Sequence, residues 1–469
     1  MEFEKAYQSL NDAQRAAVDY IDGPLLVIAG PGTGKTQLLS VRVANILKQT
    51  DVNPENILCL TFTETGADNM RHRLTDFIGP EAYKVQIQTY HGFGSYLLQE
   101  HRPDLKSAID DLEQFTLIRE IQSTLNPTDI LRPDYQTKSI LQALSDLKSA
   151  ALDPDDIRKI VNRNQIDNGL IYSAISEDIQ QTKQRYPASL PYYRNILEAL
   201  KTFVDNADDY IAGKVEPIAK IYYRSLAEIL LAETDTSIAK PLGAWRAKYF
   251  EKNSQDQYVF SDDIANKKLL SLANIMEAYE NKLTAAGLFD YDDMILNAID
   301  LLEHDDEKRF NAQERFQYIL LDEFQDTNDA QSKLVKLLTD NPSNDGKPNI
   351  MAVGDDDQAI YGFQGANTSN FFDFDEHYHP KQMFLPQNYR SSKPILDFAH
   401  NIIELGEDRF CKSPNVNIDK QISAENPPAE TAIELREFKA AGAEYSYVAR
   451  RMHELVINQH VPGNKIAII

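Results

Sequence analysis

The sequence predicts an α/β protein built on a parallel sheet. Short apolar runs alternate with amphipathic helical patterns, and the runs end in glycine-rich or acidic loops, which is where open parallel sheets carry their ligands.

Taken in order, Leu25 to Ala29 is a strand leading into a helix that carries Leu38, Leu39, Val43 and Leu47 on one face. Ile57 to Phe62 and Val85 to Thr89 are the next strands. From about His101 to Lys268 the pattern becomes helical, as in Ile140, Leu141, Leu144 and Leu147, with breaks at Pro127, Pro133 and Pro154. This stretch reads as a helical insertion. Strand character returns at Tyr318 to Leu321 and Ile350 to Val353. After Pro386 the pattern changes again: Glu425 to Ala429, with Pro427 and Pro428, reads as a connector before a strand at Ile433 to Phe438. The apolar run Lys465 to Ile469 has no turn or helix after it and reads as a strand cut midway.

A length of 469 residues allows about three domains at roughly 150 residues each. With 42% hydrophobic and 26% charged residues, the composition excludes disordered and fibrous classes. The net charge of -24 argues against gripping nucleic acid by overall charge, so any such contact is local and leans on aromatic stacking. Two cysteines, Cys59 and Cys411, exclude a disulfide framework and a Cys-rich zinc site. The N-terminus lacks a basic segment followed by an apolar one, and no run of 18 apolar residues occurs, so a cytoplasmic location without membrane contact is expected.

The strongest chemical signal is LLVIAGPGTGKT, Leu25 to Thr36. Ala29, Gly30, Pro31, Gly32, Thr33, Gly34, Lys35 and Thr36 have the spacing of a phosphate-binding loop, with Ala29 where the strict pattern has glycine. Gly32 and Gly34 let main-chain N–H groups curl around phosphates, Lys35 brings a point charge to the β and γ oxygens, and Thr36 can ligate Mg²⁺. The alternative is an ordinary glycine turn before a helix. The second signal is YILLDEFQD, Tyr318 to Asp326, a strand ending in two carboxylates. Asp322 suits Mg²⁺ and Glu323 suits a base that activates water, the alternative being a solvated acidic helix start. Together the two point to a nucleoside triphosphatase whose task they leave open. Asp290, Asp292 and Asp293 are assigned to helix capping and packing rather than to a metal.

Further motifs follow in order: LNDAQRAAV with Gln14, TFTETGADNM, TYHGFGSYLL, GLFDYDDMI, VGDDDQAIYGFQGAN and LPQNYRSS. Their order and spacing resemble the UvrD/Rep/PcrA family of superfamily one DNA helicases over about 360 residues, the helical stretch contributing almost nothing. The resemblance implies a RecA-like ATP-binding domain at 1–100 and 269–385, a helical insertion domain at 101–268 and the truncated beginning of a second RecA-like domain at 386–469. It implies an ATP-dependent motor on single-stranded DNA that unwinds duplex junctions in the 3′ to 5′ direction, with protein partners unknown. Carried over by position, Gln14 reads adenine, Tyr389 lies against it, Gln358 senses the γ-phosphate and Arg390 is an arginine finger. Thr61, Phe62, Thr63, His91, Tyr361 and Phe363 line the DNA path, although as isolated residues Phe62 and Phe363 read better as core and the threonines as strand-formers.

Three departures stand out. Gln37 and Gln364 stand where relatives carry Arg, and Glu64 to Asp68, ETGAD, replaces Asn-Lys-Ala-Ala. All three reduce positive charge near the ligands, so modest DNA affinity with a shallow salt dependence is expected. The alternatives are a motor subunit of a helicase-nuclease complex and a non-catalytic ATP-responsive DNA-binding module.

Overall fold

In the computed structural model, which describes residues 2–102, 107–206, 215–231, 238–342, 346–360, 367, 369–406, 409–412, 416, 418, 420–426 and 433–468, six apolar runs pair into one sheet. They are β1 (Leu25–Ala29), β2 (Ile57–Thr61), β3 (Gln86–Thr89), β4 (Tyr318–Leu321), β5 (Ile350–Gly354) and β6 (Lys381–Leu385). All neighbours are parallel, in the order β6-β1-β5-β4-β2-β3. Parallel strands covered on both faces bury every side chain, which is why β1, β2 and β5 are apolar without a polar alternation.

The period of two still decides which side each residue serves. Leu26, Ile28, Leu58, Leu60, Ile319, Leu321, Ile350 and Ala352 form one core with Tyr90, Phe93 and Leu97 of a helix at Tyr90–His101. Leu25, Val27, Ala29, Ile57, Cys59, Leu320, Met351 and Val353 form the opposite core with Leu38, Leu39 and Val43 of a helix at Lys35–Gln49. Each fully buried Leu or Ile contributes about 1.5–3 kcal/mol, so the sheet is a rigid base for whatever its loops carry. Strand β6 escapes the sequence reading because its run is half polar and only Leu385 is fully buried, as befits an edge.

Between the strands, the helices used below are α1 (Asp12–Asp19), α2 (Lys35–Gln49), α3 (Glu64–Ile78), α4 (Tyr90–His101), α5 (Thr137–Ser149), α6 (Asp262–Ala286) and α7 (Asp293–His304). The described residues between 111 and 286 are mainly helical around two further cores, one holding Trp245 and Tyr249, the other Ile118, Ile140, Ile275 and Tyr279. A short antiparallel hairpin, Phe250–Lys252 with Tyr258–Phe260, interrupts them. No break falls at Lys268: α6 continues through it, because Leu272, Ile275, Met276, Tyr279 and Leu283 extend one buried face at helical spacing.

The chain separates into two units, residues 1–386 with 408–420, and residues 387–407 with 421–469. In the second, Gln387–Asn388 pairs in parallel with Ser423–Ala424, and helices occupy Lys393–Ile403 and Ala441–His453. Two expected strands are corrected here. Residues 433–438 are irregular, and Gly463–Lys465 is a 3-10 turn followed by irregular chain to 468. Neither segment has a ladder partner among the described residues, and apolar content without a partner leaves main-chain polar groups unpaired.

Candidate functional site

The buried strand β1 delivers its chain to the carboxyl edge at Ala29, and the loop 30–34 turns there into α2. Gly34 caps that helix at φ +87°, a left-handed conformation that favours glycine, and a Cβ there would press on Gln14 Nε2 at 2.9 Å. Gly32 also has positive φ. The Thr33 hydroxyl donates to the Gly30 carbonyl at 2.8 Å, and Gln14 Nε2 donates to the Thr33 carbonyl at 2.8 Å. Because Gln14 Oε1 accepts the Asn11 N–H at 3.1 Å, Gln14 braces the loop from α1. Pro31 in the loop and Lys35, Thr36 and Gln37 at the start of α2 are half-buried, and the first N–H groups and dipole of that helix favour an anion. Gln37 reaches toward Ser9 at 3.5 Å.

Two strands away, β4 ends in Asp322, whose N–H is fixed by the Leu60 carbonyl at 2.8 Å. Glu323 follows in the left-handed region at φ +48°, a conformation that costs a non-glycine residue about 1 kcal/mol or more. The Lys35 ammonium lies 2.5 Å from Glu323 Oε2. Lysine and acidic pair, distant in sequence, therefore stand at one sheet edge. Burial pushes the Asp322 carboxyl up to about 6, the Glu323 charge adds to this, and Lys35 opposes it. Burial and Glu323 likewise raise Asp326 to about 6, and its Oδ1 is buried without a hydrogen-bond partner among the described residues. The buried Asp322 and Asp326 and the part-exposed Glu323 thus share one ammonium, and this excess of carboxylate oxygen fits a divalent cation. No His, Cys, Asp and Glu cluster among the described residues encloses a metal by itself, so such an ion would share its coordination with phosphate and water.

Strand β5 adds the next layer. Gln325 Nε2 donates to Glu323 Oε2 at 2.8 Å, and its Oε1 accepts the Asp355 N–H at 3.0 Å. Asp355 caps the turn Asp356–Gln358 and accepts from Gln358 Nε2 at 2.7 Å. The acidic triplet is pinned from behind: Lys420 pairs with Asp355, Asp356 and Asp357, and Arg409 grips Asp357 in a fork at 2.8 and 2.7 Å. Tyr389 and Arg390 belong to the second unit, where buried Asn388 accepts the N–H groups of Arg390 and Ser391 at 2.8 and 2.7 Å and the Arg390 side chain is exposed.

Of the residues expected along DNA, Thr61 is buried at the end of β2, Phe62 is half-buried, and Thr63 caps α3 by accepting the Gly66 N–H at 3.0 Å. His91, in the first turn of α4, stacks on Tyr291 with ring centroids 4.0 Å apart and planes 22° apart. Burial holds the His91 imidazole down at about 4, so it is neutral at physiological pH. Tyr361, Phe363 and Gln364 lie outside the described residues.

Sequence reasoning did not pick out Tyr291, Gln325, Lys148, Arg409 or Lys420. Tyr291 lies between residues of an acidic cluster. Asp290 and Asp293 exchange main-chain and side-chain hydrogen bonds at 2.9 and 3.0 Å, and the Lys148 ammonium, 1% exposed, meets both carboxylates at 2.6 Å. Asp292 makes no cap hydrogen bond. Lys148 did leave a signal: with Ile140 and Leu144 it continues the buried stripe of α5 at intervals of four, where a lysine demands partners.

A glycine-rich loop between the first strand and its helix, with a lysine facing carboxylates at a neighbouring strand end, is the layout of the phosphate-loop nucleoside triphosphatases. Within that class the chain belongs to the UvrD/Rep helicase family, since the model for the UvrD/REP helicase N-terminal domain matches residues 10–379. It is 27% identical over 456 residues to the ATP-dependent DNA helicase PcrA of Staphylococcus epidermidis, covering 94% of this chain and 47% of that protein. To the ATP-dependent DNA helicase PcrA of Staphylococcus aureus it is 26% identical over 454 residues, with the same coverage of 94% and 47%. The chain spans about half the length of these curated relatives. No helix among the described residues is long and apolar enough to cross a membrane.

Proposed function

We propose that this chain forms the ATP-binding front of a DNA helicase that translocates 3′ to 5′ on single-stranded DNA and separates duplexes at junctions. The observation that carries the reading is the meeting of Lys35 with Glu323, beside Asp322, at the carboxyl edge of a parallel sheet. The main chain from Ala29 to Gly34 cradles the phosphates, Lys35 neutralises the β and γ oxygens, and Gln14, Gln37 and Tyr389 meet the base. Thr36 and Asp322 would hold magnesium, which when bound supplies charge neutralisation on the phosphate oxygens. Glu323 takes a proton from water; the resulting hydroxide attacks the γ-phosphorus, the bond to the bridging oxygen breaks, and ADP leaves. Gln358 senses the γ-phosphate and Arg390 steadies the charge that develops on it.

Thr61, Phe62, Thr63, His91, Tyr361 and Phe363 form the DNA path, to which the exposed Tyr291 adds a ring. In this reading the six-stranded sheet is the first RecA-like domain, the helical residues near 101–268 are an insertion and residues from 386 begin a second RecA-like domain. A cytoplasmic location accords with such a task. DNA-stimulated ATP hydrolysis by the full-length polypeptide tests the proposal: single strands should raise turnover and Lys35→Ala should abolish it. Turnover that ignores DNA, or that survives Lys35→Ala, overturns it.

A further inference from the structure

Between Glu323 and the end of β5, one side chain closes the gap. Gln325 is 3% exposed, donates through Nε2 to Glu323 Oε2 at 2.8 Å and accepts the Asp355 N–H through Oε1 at 3.0 Å. Chemistry fixes this orientation: a main-chain N–H only donates and a carboxylate only accepts, so a flipped amide would lose both bonds. The fit is close on the other side too, because a Cβ at Gly354 would fall 2.6 Å from Gln325 Oε1 and 3.1 Å from its main-chain nitrogen. Asp355 in turn accepts from Gln358 at 2.7 Å, and Lys420 anchors Asp355 and its neighbours. Lys35, Glu323, Gln325, Asp355 and Gln358 stand in one hydrogen-bonded series.

We propose that Gln325 is a positioning residue for hydrolysis, fixing the Glu323 carboxylate and tying it to the turn that carries Gln358; this rests on the reading of Glu323 as the base. Phosphate oxygens compete for the Lys35 ammonium, so the Lys35–Glu323 pair cannot by itself aim Glu323 once nucleotide is bound. The bond from Gln325 does not compete with phosphate. It holds the carboxylate from the β5 side, and it makes the aim of Glu323 depend on where the Gln358 turn lies. A neutral amide suits this task, since a second carboxylate there would repel Glu323 and a hydrocarbon would leave both partners unpaired.

The test uses the full-length polypeptide with Gln325→Met, which is similar in length and removes the bonds to Glu323 and Asp355 together with a longer one to Asp326 at 3.4 Å, and Gln325→Glu, which keeps an acceptor for the Asp355 N–H and sets a like charge against Glu323 and Asp326. Lys35→Ala is the control. With both Gln325 variants, the affinity for a fluorescent ATP analogue should stay within about threefold of wild type while kcat falls about 10- to 100-fold, as misplacement of a reacting group by about 1 Å does. Hydrogen exchange of the 351–359 peptide should accelerate in Gln325→Met and stay slow in Gln325→Glu, separating the two ends of the bridge. A wild-type kcat in Gln325→Met overturns the inference, and so does joint loss of nucleotide binding and of exchange protection across the whole sheet. If Lys35→Ala abolishes turnover while Gln325→Met behaves as wild type, only the role of Gln325 falls. If Lys35→Ala leaves turnover intact, the reading of the site itself falls.

Discussion

The Lys35 ammonium and the Glu323 carboxylate, 288 residues apart in sequence, meet at 2.5 Å. In the proposed hydrolysis each group is wanted elsewhere: the lysine by phosphate, the carboxylate by water. Breaking their pair is therefore part of the cost of binding nucleotide. Glu323→Gln keeps the shape and weakens the pair, so it should bind MgATP at least as tightly as wild type while kcat falls by about 10²–10⁴, the usual contribution of a general base. Lys35→Ala should weaken binding as well. Equilibrium titration with a fluorescent nucleotide, beside steady-state turnover, separates the two; weaker binding by Glu323→Gln would contradict the argument.

Lys148 tests a different link, from packing to stability. Burial alone would lower its pKa, yet Asp293 and Asp290 outweigh burial and hold the ammonium charged, with the Tyr279 ring 5.1 Å away. Lys148→Met fills similar space but strands two carboxylates in a dry site. Removing one partner of a buried ionic cluster typically costs about 3–5 kcal/mol, so the urea midpoint should fall accordingly. Adding Asp290→Asn and Asp293→Asn should recover part of the loss, since the damage lies in the unpaired charges.

How far these features were legible in the sequence depends on whether their cause is local. The strands β1, β2, β4 and β5 and the loop at Lys35 were readable because apolar runs and glycine spacing are local signals. The edge strand β6 was not, because Lys381 and Gln382 meet solvent and dilute the pattern. The segment Ile433 to Phe438 misled in the opposite sense, since strand formation depends on a partner that no local pattern supplies. Lys35, Asp322 and Glu323 were marked by residue type beside a strand. Gln325 sits two residues from Glu323, but its use depends on Asp355, 30 residues further on, arriving at the same edge. Arg409 and Lys420 reach back 52 and 64 residues to the acidic triplet, a closure with no sequence spacing to announce it.

The His91–Tyr291 stack gives an expectation for DNA. His91 is neutral down to about pH 4 and Tyr291 is exposed, so on the proposed DNA path both would act through ring faces rather than through charge. Tyr291→Ala should weaken binding to an oligothymidylate by about 1–3 kcal/mol with an unchanged salt slope, because no cation is removed. Tyr291→Phe should retain affinity. Fluorescence anisotropy at several salt concentrations decides; equal losses in both variants would point to the hydroxyl instead.

Gly94 reverses a familiar rule. In a helix interior, glycine to alanine normally stabilises by about 0.5–1 kcal/mol. Here a Cβ would stand 2.6 Å from the Met294 carbonyl oxygen, which is main chain at the start of α7 and has little room to give. Overpacking of this kind costs about 1–3 kcal/mol, so Gly94→Ala should lower stability on balance. Because α4 and α7 flank the His91–Tyr291 stack, the same change should also weaken DNA binding. A raised melting temperature would show that the helices can separate freely.

Glu280 supplies a pH dependence whose sign can be worked out. Its carboxyl is pushed up to about 7 from 4.5, first by burial, with Asp293, Asp153 and Asp290 adding and Lys148 opposing. Between those values the folded chain holds a proton that the unfolded chain has released, so stability falls as pH rises through the window. Glu280's favourable term is complete below about 4.5 and gone above about 7. Asp293, raised to about 6, slopes the same way, so the wild-type decline has more than one source. Glu280→Gln keeps a neutral side chain of the same shape at every pH and removes only the Glu280 part. It should match wild type near pH 4 and exceed it at pH 8 by on the order of 1–2 kcal/mol, a figure reduced from the full shift because the group is partly solvated. Urea unfolding of both proteins at the two pH values measures the difference directly. Equal stabilities at pH 8 would mean that water reaches the Glu280 carboxylate and that its burial imposes no cost.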